Sequence, residues 1–191
     1  MKKVCFVAIL LFCLSCFAHL AFADVWLDAV ISFDQPEGSS TTNNIPSYAL
    51  GPDDGYYVSI DIPETLILAF TDNSAYNGIG YDIRIREVGA DRSYVDVYGS
   101  KDGLDWFYFG QVGGGFYDNN DYFIDLHGSG MNYLNYLKFV GLDNAGTSAG
   151  FDLDAVEALN SGPNVPIPSA AWLFGSGMIG LAGLRKKFRK S

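Results

Sequence analysis

The chain has 191 residues, with 22 Asp and Glu against 12 Lys and Arg, and its formal net charge at pH 7 is −10. Seven of the basic residues lie in the two ends, so residues 24–164 carry all 22 acids against 5 bases, a formal charge of −17. A surface this acidic excludes a nucleic-acid-binding role, because phosphate binding needs clustered Lys and Arg. All three cysteines precede residue 17, so the central region has no disulfide.

The first 23 residues have the pattern of a secretory signal peptide. Two lysines precede an apolar run over 4–22, and Ala21-Phe22-Ala23 supplies the small residues of a cleavage site. We predict a signal helix over 1–23 that directs the chain to the Sec translocon and is cleaved after Ala23 by signal peptidase. An uncleaved membrane anchor is the alternative.

Residues 24–160 consist of short runs with strand character. The runs alternate apolar and polar residues or are rich in β-branched and aromatic ones, and turn signals such as Asn77-Gly78 lie between them. In the clearest run, Ile83 and Ile85 are predicted to point inward, and the arginine after each is predicted to point outward. The predicted strands are Trp26–Phe33, Tyr56–Ile62, Thr65–Phe70, Tyr81–Val88, Tyr94–Tyr98, Trp106–Val112, Tyr122–Leu126, Tyr136–Leu142 and Phe151–Leu159.

This pattern predicts one all-β domain over 24–160. No stretch carries a helical period, and eight or nine short strands favour a two-sheet antiparallel jelly-roll β-sandwich. An immunoglobulin-like sandwich is the alternative, and the absence of its Cys…Trp…Cys pattern disfavours it.

Four stretches of this domain resemble the galactose-binding-like, discoidin-type superfamily. They are Ala49–Gly55, Asp82–Gly89, Val97–Trp106 and Phe151–Glu157. The resemblance implies a jelly-roll sandwich that is used mainly to bind glycans or surfaces and seldom for catalysis. It also implies a structural Ca2+ ion where the early loop meets the final strand.

The acids that match this implied calcium position are Asp53 or Asp54 with Asp152, Asp154 or Glu157, and the selected candidates are Asp54, Asp152 and Asp154. Ca2+ prefers six to eight oxygen ligands from carboxylates and backbone carbonyls, and Asp152 and Asp154 lie two apart on a predicted strand, on the same face. The opposing interpretation is that these residues cap turns and face solvent in a very acidic domain.

Aromatic side chains are the natural candidates for sugar binding, because a flat ring stacks on the face of a pyranose. Tyr117 and Tyr133 are the preferred candidates, since polar loop residues flank both. Trp106 ranks below them, because it follows a turn into a strand and core packing is an alternative role for it. Tyrosines within strands pack more often in the core or across strands.

The inventory for catalysis is thin. After processing, His127 is the only histidine, no cysteine remains, and clustered zinc ligands are missing. Carboxylates are numerous enough for a glycosidase-type acid and base pair, but no pair is singled out by its surroundings. We therefore predict a protein that is not an enzyme.

The C-terminal end has three parts. A linker over 161–169 contains Val165-Pro166-Ile167-Pro168, whose prolines keep the backbone extended and non-helical. We predict an apolar transmembrane segment over 170–184, which is short for a bilayer; a buried core helix with a charged end is the alternative. The tail over 185–191 is basic and is predicted to stay cytoplasmic. The predicted membrane-anchor residues are Trp172, Gly175, Arg185, Lys186 and Lys187.

The run from Val165 to Gly177 resembles the PEP-CTERM sorting signal of Gram-negative bacteria, with Ile167 in the position that gives the family its Glu. The resemblance implies recognition by an exosortase and cleavage near the proline motif. The membrane anchor would then be transient, because cleavage removes it. It also implies an exported protein, first anchored in the inner membrane and then located at the cell surface or in the extracellular matrix, in a biofilm and exopolysaccharide context.

These observations predict an exported surface or matrix protein that binds extracellular polysaccharide. The alternative is a purely structural envelope protein that self-associates and binds no small ligand. A glycosidase is the third hypothesis.

Overall fold

The computed structural model describes residues 25–36, 43–89, 92–115, 119–142 and 150–163. The predicted signal helix, the Val165-Pro166-Ile167-Pro168 motif, the transmembrane segment and the basic tail lie outside the described residues, as does Tyr117. Within the described part of the chain, no helix has the length and apolar character needed to cross a membrane.

The described residues form twelve β-strands and one turn of 3-10 helix. The strands are β1 (Ala29–Asp34), β2 (Val58–Ile60), β3 (Thr65–Ala69), β4 (Asn73–Tyr76), β5 (Ile83–Val88), β6 (Tyr94–Ser100), β7 (Phe107–Gly113), β8 (Asn119–Ile124), β9 (Tyr133–Leu134), β10 (Tyr136–Gly141), β11 (Phe151–Ala158) and β12 (Ser161–Pro163), and the 3-10 turn is η1 (Pro46–Ala49).

The strands form two main sheets and one small sheet. The first main sheet has the order β1-β3-β10-β6-β7, and the second has the order β2-β11-β5-β8. Every pairing within them is antiparallel. The prediction of an all-β, two-sheet antiparallel sandwich is thus confirmed. A third sheet, β12-β4-β9, was not predicted.

The two main sheets enclose one hydrophobic core. Alternation of buried and partly buried residues is clearest on β5 and β10, because successive side chains of a strand point to opposite faces. On β5, Ile83 and Ile85 are buried as predicted, while Arg84 and Arg86 are only partly buried. Leu137 and Phe139 of β10 join the same buried cluster from the first main sheet.

Gly141 marks a place where the backbone itself is tightly packed. It ends β10, is buried, and donates its N–H to the carbonyl of Glu64 at 3.0 Å. A Cβ at this position would overlap the backbone carbonyl oxygen of Asp61, which cannot move aside as a flexible side chain can.

Gly141→Ala should therefore destabilise the protein by about 1–3 kcal/mol, the usual cost of overpacking. Urea denaturation of the full chain measures the change through the transition midpoint. Ser32→Ala, on an exposed position of β1, is the control and should stay within about 0.5 kcal/mol of the parent. Equal midpoints for the two variants would contradict the prediction.

Candidate ligand-binding site

The loop between β6 and β7 is folded by its own polar groups. The Oδ1 of Asp102 accepts the backbone N–H of Leu104 at 2.9 Å and of Asp105 at 3.2 Å. The hydroxyl of Ser100 donates to the same Oδ1 at 3.1 Å and accepts the N–H of Gly103 at 2.9 Å. The backbone hydrogen bonds from Leu104 and Asp105 lower the pKa of Asp102. The loop therefore has a defined shape before any ligand arrives.

Asn135, between β9 and β10, ties this loop to the body of the sandwich. Its side-chain amide donates to the carbonyl of Lys101 at 3.1 Å, and its backbone N–H donates to the carbonyl of Ser100 at 3.0 Å. Its amide oxygen accepts the hydroxyl of Ser74, from β4, at 2.6 Å. Asn135 thus connects the small third sheet to the loop.

A pocket of about 290 Å³ opens beside this loop. Its lining combines an indole, a phenyl ring and a thioether with one cation and two carboxylates. The lining residues are Lys101, Asp102, Asp105, Trp106, Phe107 and Met131. A mainly apolar surface with a few polar groups is the usual composition of a small-ligand site.

The outer face of the first main sheet continues this surface. The ammonium of Lys138 lies 4.5 Å from the ring centroids of both Tyr98 and Trp106. The ring of Tyr108 lies 5.1 Å from that of Tyr98, and its hydroxyl donates to Asp96 at 2.9 Å. This hydrogen bond raises the pKa of the Tyr108 phenol. We call the rings of Tyr98, Trp106 and Tyr108 the aromatic platform.

Tyr133, predicted to bind ligand, lies next to the pocket. The ammonium of Lys101 is 5.5 Å from the Tyr133 ring centroid, and the ring of Tyr76 is 5.9 Å away on the small sheet. Lys101 therefore borders both Tyr133 and the pocket. Tyr117, the other predicted candidate, lies outside the described residues.

Trp106 is the residue whose role the sequence analysis underestimated. It lines the pocket and is partly exposed, so core packing is not its role. The signal available in the sequence was its place at the end of a turn, followed by Phe107 and Tyr108, both exposed in the structure. Lys138 was missed because its place depends on the pairing of β10 with β6.

The predicted calcium residues are engaged by hydrogen-bond donors. The two carboxylate oxygens of Asp154 accept the N–H groups of Asp54 and Gly55 at 3.3 and 3.2 Å. Asp152 accepts the hydroxyl of Ser59 at 2.5 Å, and Asp54 accepts the N–H of Tyr56 at 2.9 Å. Among the residues that the structure describes, no group of three or more His, Cys, Asp or Glu is arranged to hold a metal ion.

These contacts make Asp154 an anchor for the loop before β2. Burial raises the pKa of Asp154, and the two backbone hydrogen bonds oppose that rise. Calcium at this position would require oxygen atoms of the loop to face Asp154 in place of its N–H groups. In this structure both Asp154 oxygens are occupied by N–H donors.

His127 lies in an exposed turn after β8. Its backbone N–H donates to the carboxylate of Asp125 at 2.7 Å. His127 itself does not line the pocket, although Met131, which does, directly follows the same turn.

Lys138 should titrate below its ordinary pKa of 10.5, because burial against the rings removes water from its ammonium. Because this pKa is lower in the folded state than in the unfolded state, protonated Lys138 lowers the free energy of unfolding at lower pH. The penalty disappears as the pH rises to 10.5, where the unfolded chain also loses the proton. NMR titration of the lysine side chains measures the value. Trp106→Ala, which uncovers the ammonium, should move the pKa back toward 10.5, and an unchanged titration curve would contradict the assignment.

The fold and the site together define an antiparallel β-sandwich with a cation-lined aromatic pocket. No protein-family model matches the chain, and no curated protein matches it.

Several solved structures are similar to the chain. The C-terminal domain of a chitobiase from Bacteroides fragilis is 14% identical, with a TM-score of 0.48, over 75% of this chain and 97% of that one. The family 32 carbohydrate-binding module from Streptococcus pneumoniae EndoD is 13% identical, with a TM-score of 0.48, over 69% and 94%. A chitosan-binding module from Paenibacillus sp. IK-5 is 14% identical, with a TM-score of 0.43, over 71% and 95%. These scores are too low to assign a family or a ligand.

Proposed function

We propose that this protein binds polysaccharide outside the cell through the pocket beside Trp106. The observation that carries the proposal is the continuous surface formed by the pocket and the aromatic platform. Flat rings there can stack on sugar faces, while Lys101 and Asp105 can form hydrogen bonds with hydroxyl groups. The sequence resemblance to the galactose-binding-like superfamily points to the same ligand class.

Pull-down of the full chain by insoluble and immobilised polysaccharides tests the proposal. The chain is purified in a detergent without a sugar headgroup, so that the detergent does not compete for the site. Retention that a soluble form of the same polysaccharide competes away supports the proposal. Absence of retention across neutral and acidic polysaccharides, with the strand signal of circular dichroism intact, would contradict it.

The pocket favours binding over hydrolysis. A glycosidase needs two carboxyl groups flanking the scissile bond, one of them kept protonated by a raised pKa. Asp102 is committed to the backbone of its own loop, and those hydrogen bonds lower its pKa. Asp102 is therefore unsuited to the role of general acid.

The proposed route to the cell surface follows from the two ends of the sequence. Signal peptidase cleaves after Ala23, the segment over 170–184 holds the precursor in the inner membrane, and an exosortase cleaves near Pro168. Mass spectrometry of the protein from the native envelope and medium tests this route. An N-terminus at Asp24 and a C-terminus near Pro168 support it, and a full-length C-terminus in the mature protein would contradict it.

Calcium binding is a separate proposal that comes from the sequence resemblance. A ligand that binds only the folded state raises the unfolding temperature with its concentration. Thermal unfolding of the full chain in millimolar Ca2+ and in EDTA decides the matter. A higher midpoint in Ca2+ that Asp152→Asn removes supports a structural ion, and identical midpoints count against it.

A second candidate function is self-association as a structural envelope protein. Ile79 is fully exposed, and the exposed ring of Tyr81, two residues before β5, lies 5.3 Å from the exposed ring of Phe123 on β8. Exposed apolar side chains of this kind are typical of protein contact surfaces. Sedimentation velocity at increasing concentration tests it, with Phe123→Ser expected to shift any assembly toward monomer.

A further inference from the structure

Four of the five basic residues of 24–164 fall into two kinds of environment. On the outer face of the second main sheet, Arg84 lies 2.9 Å from Glu157, 3.4 Å from Asp53 and 3.5 Å from Asp121. Arg86 shares Asp121 at 3.2 Å. These two arginines are therefore neutralised by carboxylates of the domain itself.

Both lysines of this region lie at the ligand-binding site. Lys101 lines the pocket, and Lys138 lies over the ring of Trp106. Within the described ranges, neither ammonium has a carboxylate oxygen within 4.0 Å. Arg92, the remaining base, precedes β6 at the strand's opposite end from this loop.

Two unpaired lysines are unexpected in a region with a formal charge of −17, where carboxylates outnumber bases by 22 to 5. An ammonium that is partly removed from water by aromatic rings gains most from an anionic partner, because screening by solvent is weaker there. The domain supplies no such partner in its described part, so the charge is available to a ligand.

The acids of the pocket restrict the ligand further. Asp102 is occupied by the loop backbone, whereas the exposed side chain of Asp105 lines the pocket as a free acceptor for hydroxyl groups. A suitable ligand therefore carries both hydroxyl donors and anionic groups.

We infer that the ligand is an acidic polysaccharide bearing carboxylates on its sugars, which pair with Lys101 and Lys138 while a sugar face stacks on Trp106. This inference rests on the proposed polysaccharide-binding function of the same pocket. A bidentate guanidinium is absent from the site, and ammonium groups bind anions as point charges without a fixed geometry. The lysines therefore recognise the negative charge of the carboxylates without fixing their orientation, and the rings and Asp105 contact the rest of the sugar.

The test compares each polymer with its own neutral form. Polygalacturonate, alginate and hyaluronan are each used with a carboxyl-reduced preparation in which CH2OH replaces the carboxylate. Isothermal titration calorimetry of the full chain, in detergent without a sugar headgroup, should show at least one acidic polymer binding tenfold or more tighter than its reduced form.

Substitution of the two lysines by methionine removes the charge and keeps the apolar stem against the rings. The Lys101→Met, Lys138→Met double variant should bind acidic and reduced polymers equally. Arg92→Met makes half this change in net charge away from the site and should keep the preference.

The outcomes distinguish polysaccharide binding itself from a preference for acidic polysaccharides. Equal binding of acidic and reduced polymers by the parent protein would overturn the inference and leave polysaccharide binding intact. A preference that survives in the double variant would also overturn it. Binding of no acidic or neutral polymer by the folded chain would overturn both.

Discussion

Replacing Trp106 with Ala should weaken polysaccharide binding by about 30-fold or more. An aromatic anchor at the centre of a binding site commonly contributes about 2 kcal/mol or more when it is truncated, and each 1.4 kcal/mol is about a tenfold change in affinity. Trp106 is central because it joins the pocket to the aromatic platform through Lys138. Calorimetric titration with the best-binding polymer measures the loss.

Two further variants make this result specific. Trp106→Phe keeps a flat ring and should retain part of the affinity. Tyr56→Ala removes an exposed ring that contacts Tyr48 away from the pocket, and its affinity should match that of the parent. If Trp106→Ala and Tyr56→Ala bind equally well, the ligand is not held at this pocket.

Replacing Asp82 with Ala should cost about 3 kcal/mol or more of unfolding free energy. Asp82 is fully buried, and its carboxylate accepts the N–H of Gly78, the N–H of Leu126 and the side-chain amide of Asn160 at 2.7, 2.7 and 2.8 Å. The hydrogen bond from Leu126 is buried and the other two are part-buried; a buried donor left without an acceptor costs about 1–3 kcal/mol, and the part-buried donors add less because water reaches them. A small domain has about 5–15 kcal/mol of stability in all, so the variant should lose a substantial fraction of it.

Urea denaturation followed by circular dichroism measures this change. Asp34→Ala, on an exposed position of β1, removes the same charge and should stay within about 0.5 kcal/mol of the parent. Asp82→Asn keeps one acceptor oxygen and should fall between the two. A denaturation curve for Asp82→Ala that overlays that of Asp34→Ala would show that the carboxylate does not hold these three segments together.

Strands with a clear alternation could be predicted from the sequence. The predicted strands Thr65–Phe70 and Phe151–Leu159 match β3 and β11 to within one residue, because the first is an almost continuous apolar run and the second begins with alternating apolar and acidic residues. The small third sheet could not be predicted in this way. Its strand β4 runs Asn73-Ser74-Ala75-Tyr76, without apolar alternation, and it is a strand because β9 and β12 pair with it.

The site was only partly predictable for a related reason. Sequence alone identifies Tyr133 as an aromatic residue in a polar setting, but it does not show that Lys101 lies over its ring. Lys138 and Trp106 are 32 positions apart, and their contact depends on the registers of β10 with β6 and of β6 with β7. Composition revealed the excess of acids, and only the fold showed which bases remain unpaired.

In the loop between β6 and β7, the residues that fix the backbone conformation are different from those at the exposed tip. Ser100 and Asp102 hold the backbone, while Leu104 at the tip is 80% exposed and contributes little to the core. Changes at Asp105, which lines the pocket, should therefore alter what the pocket recognises with little effect on the fold, and Leu104 beside it should tolerate substitution. The loop is accordingly a natural position for a small library of variants, in which new sugar specificities are selected on an unchanged scaffold.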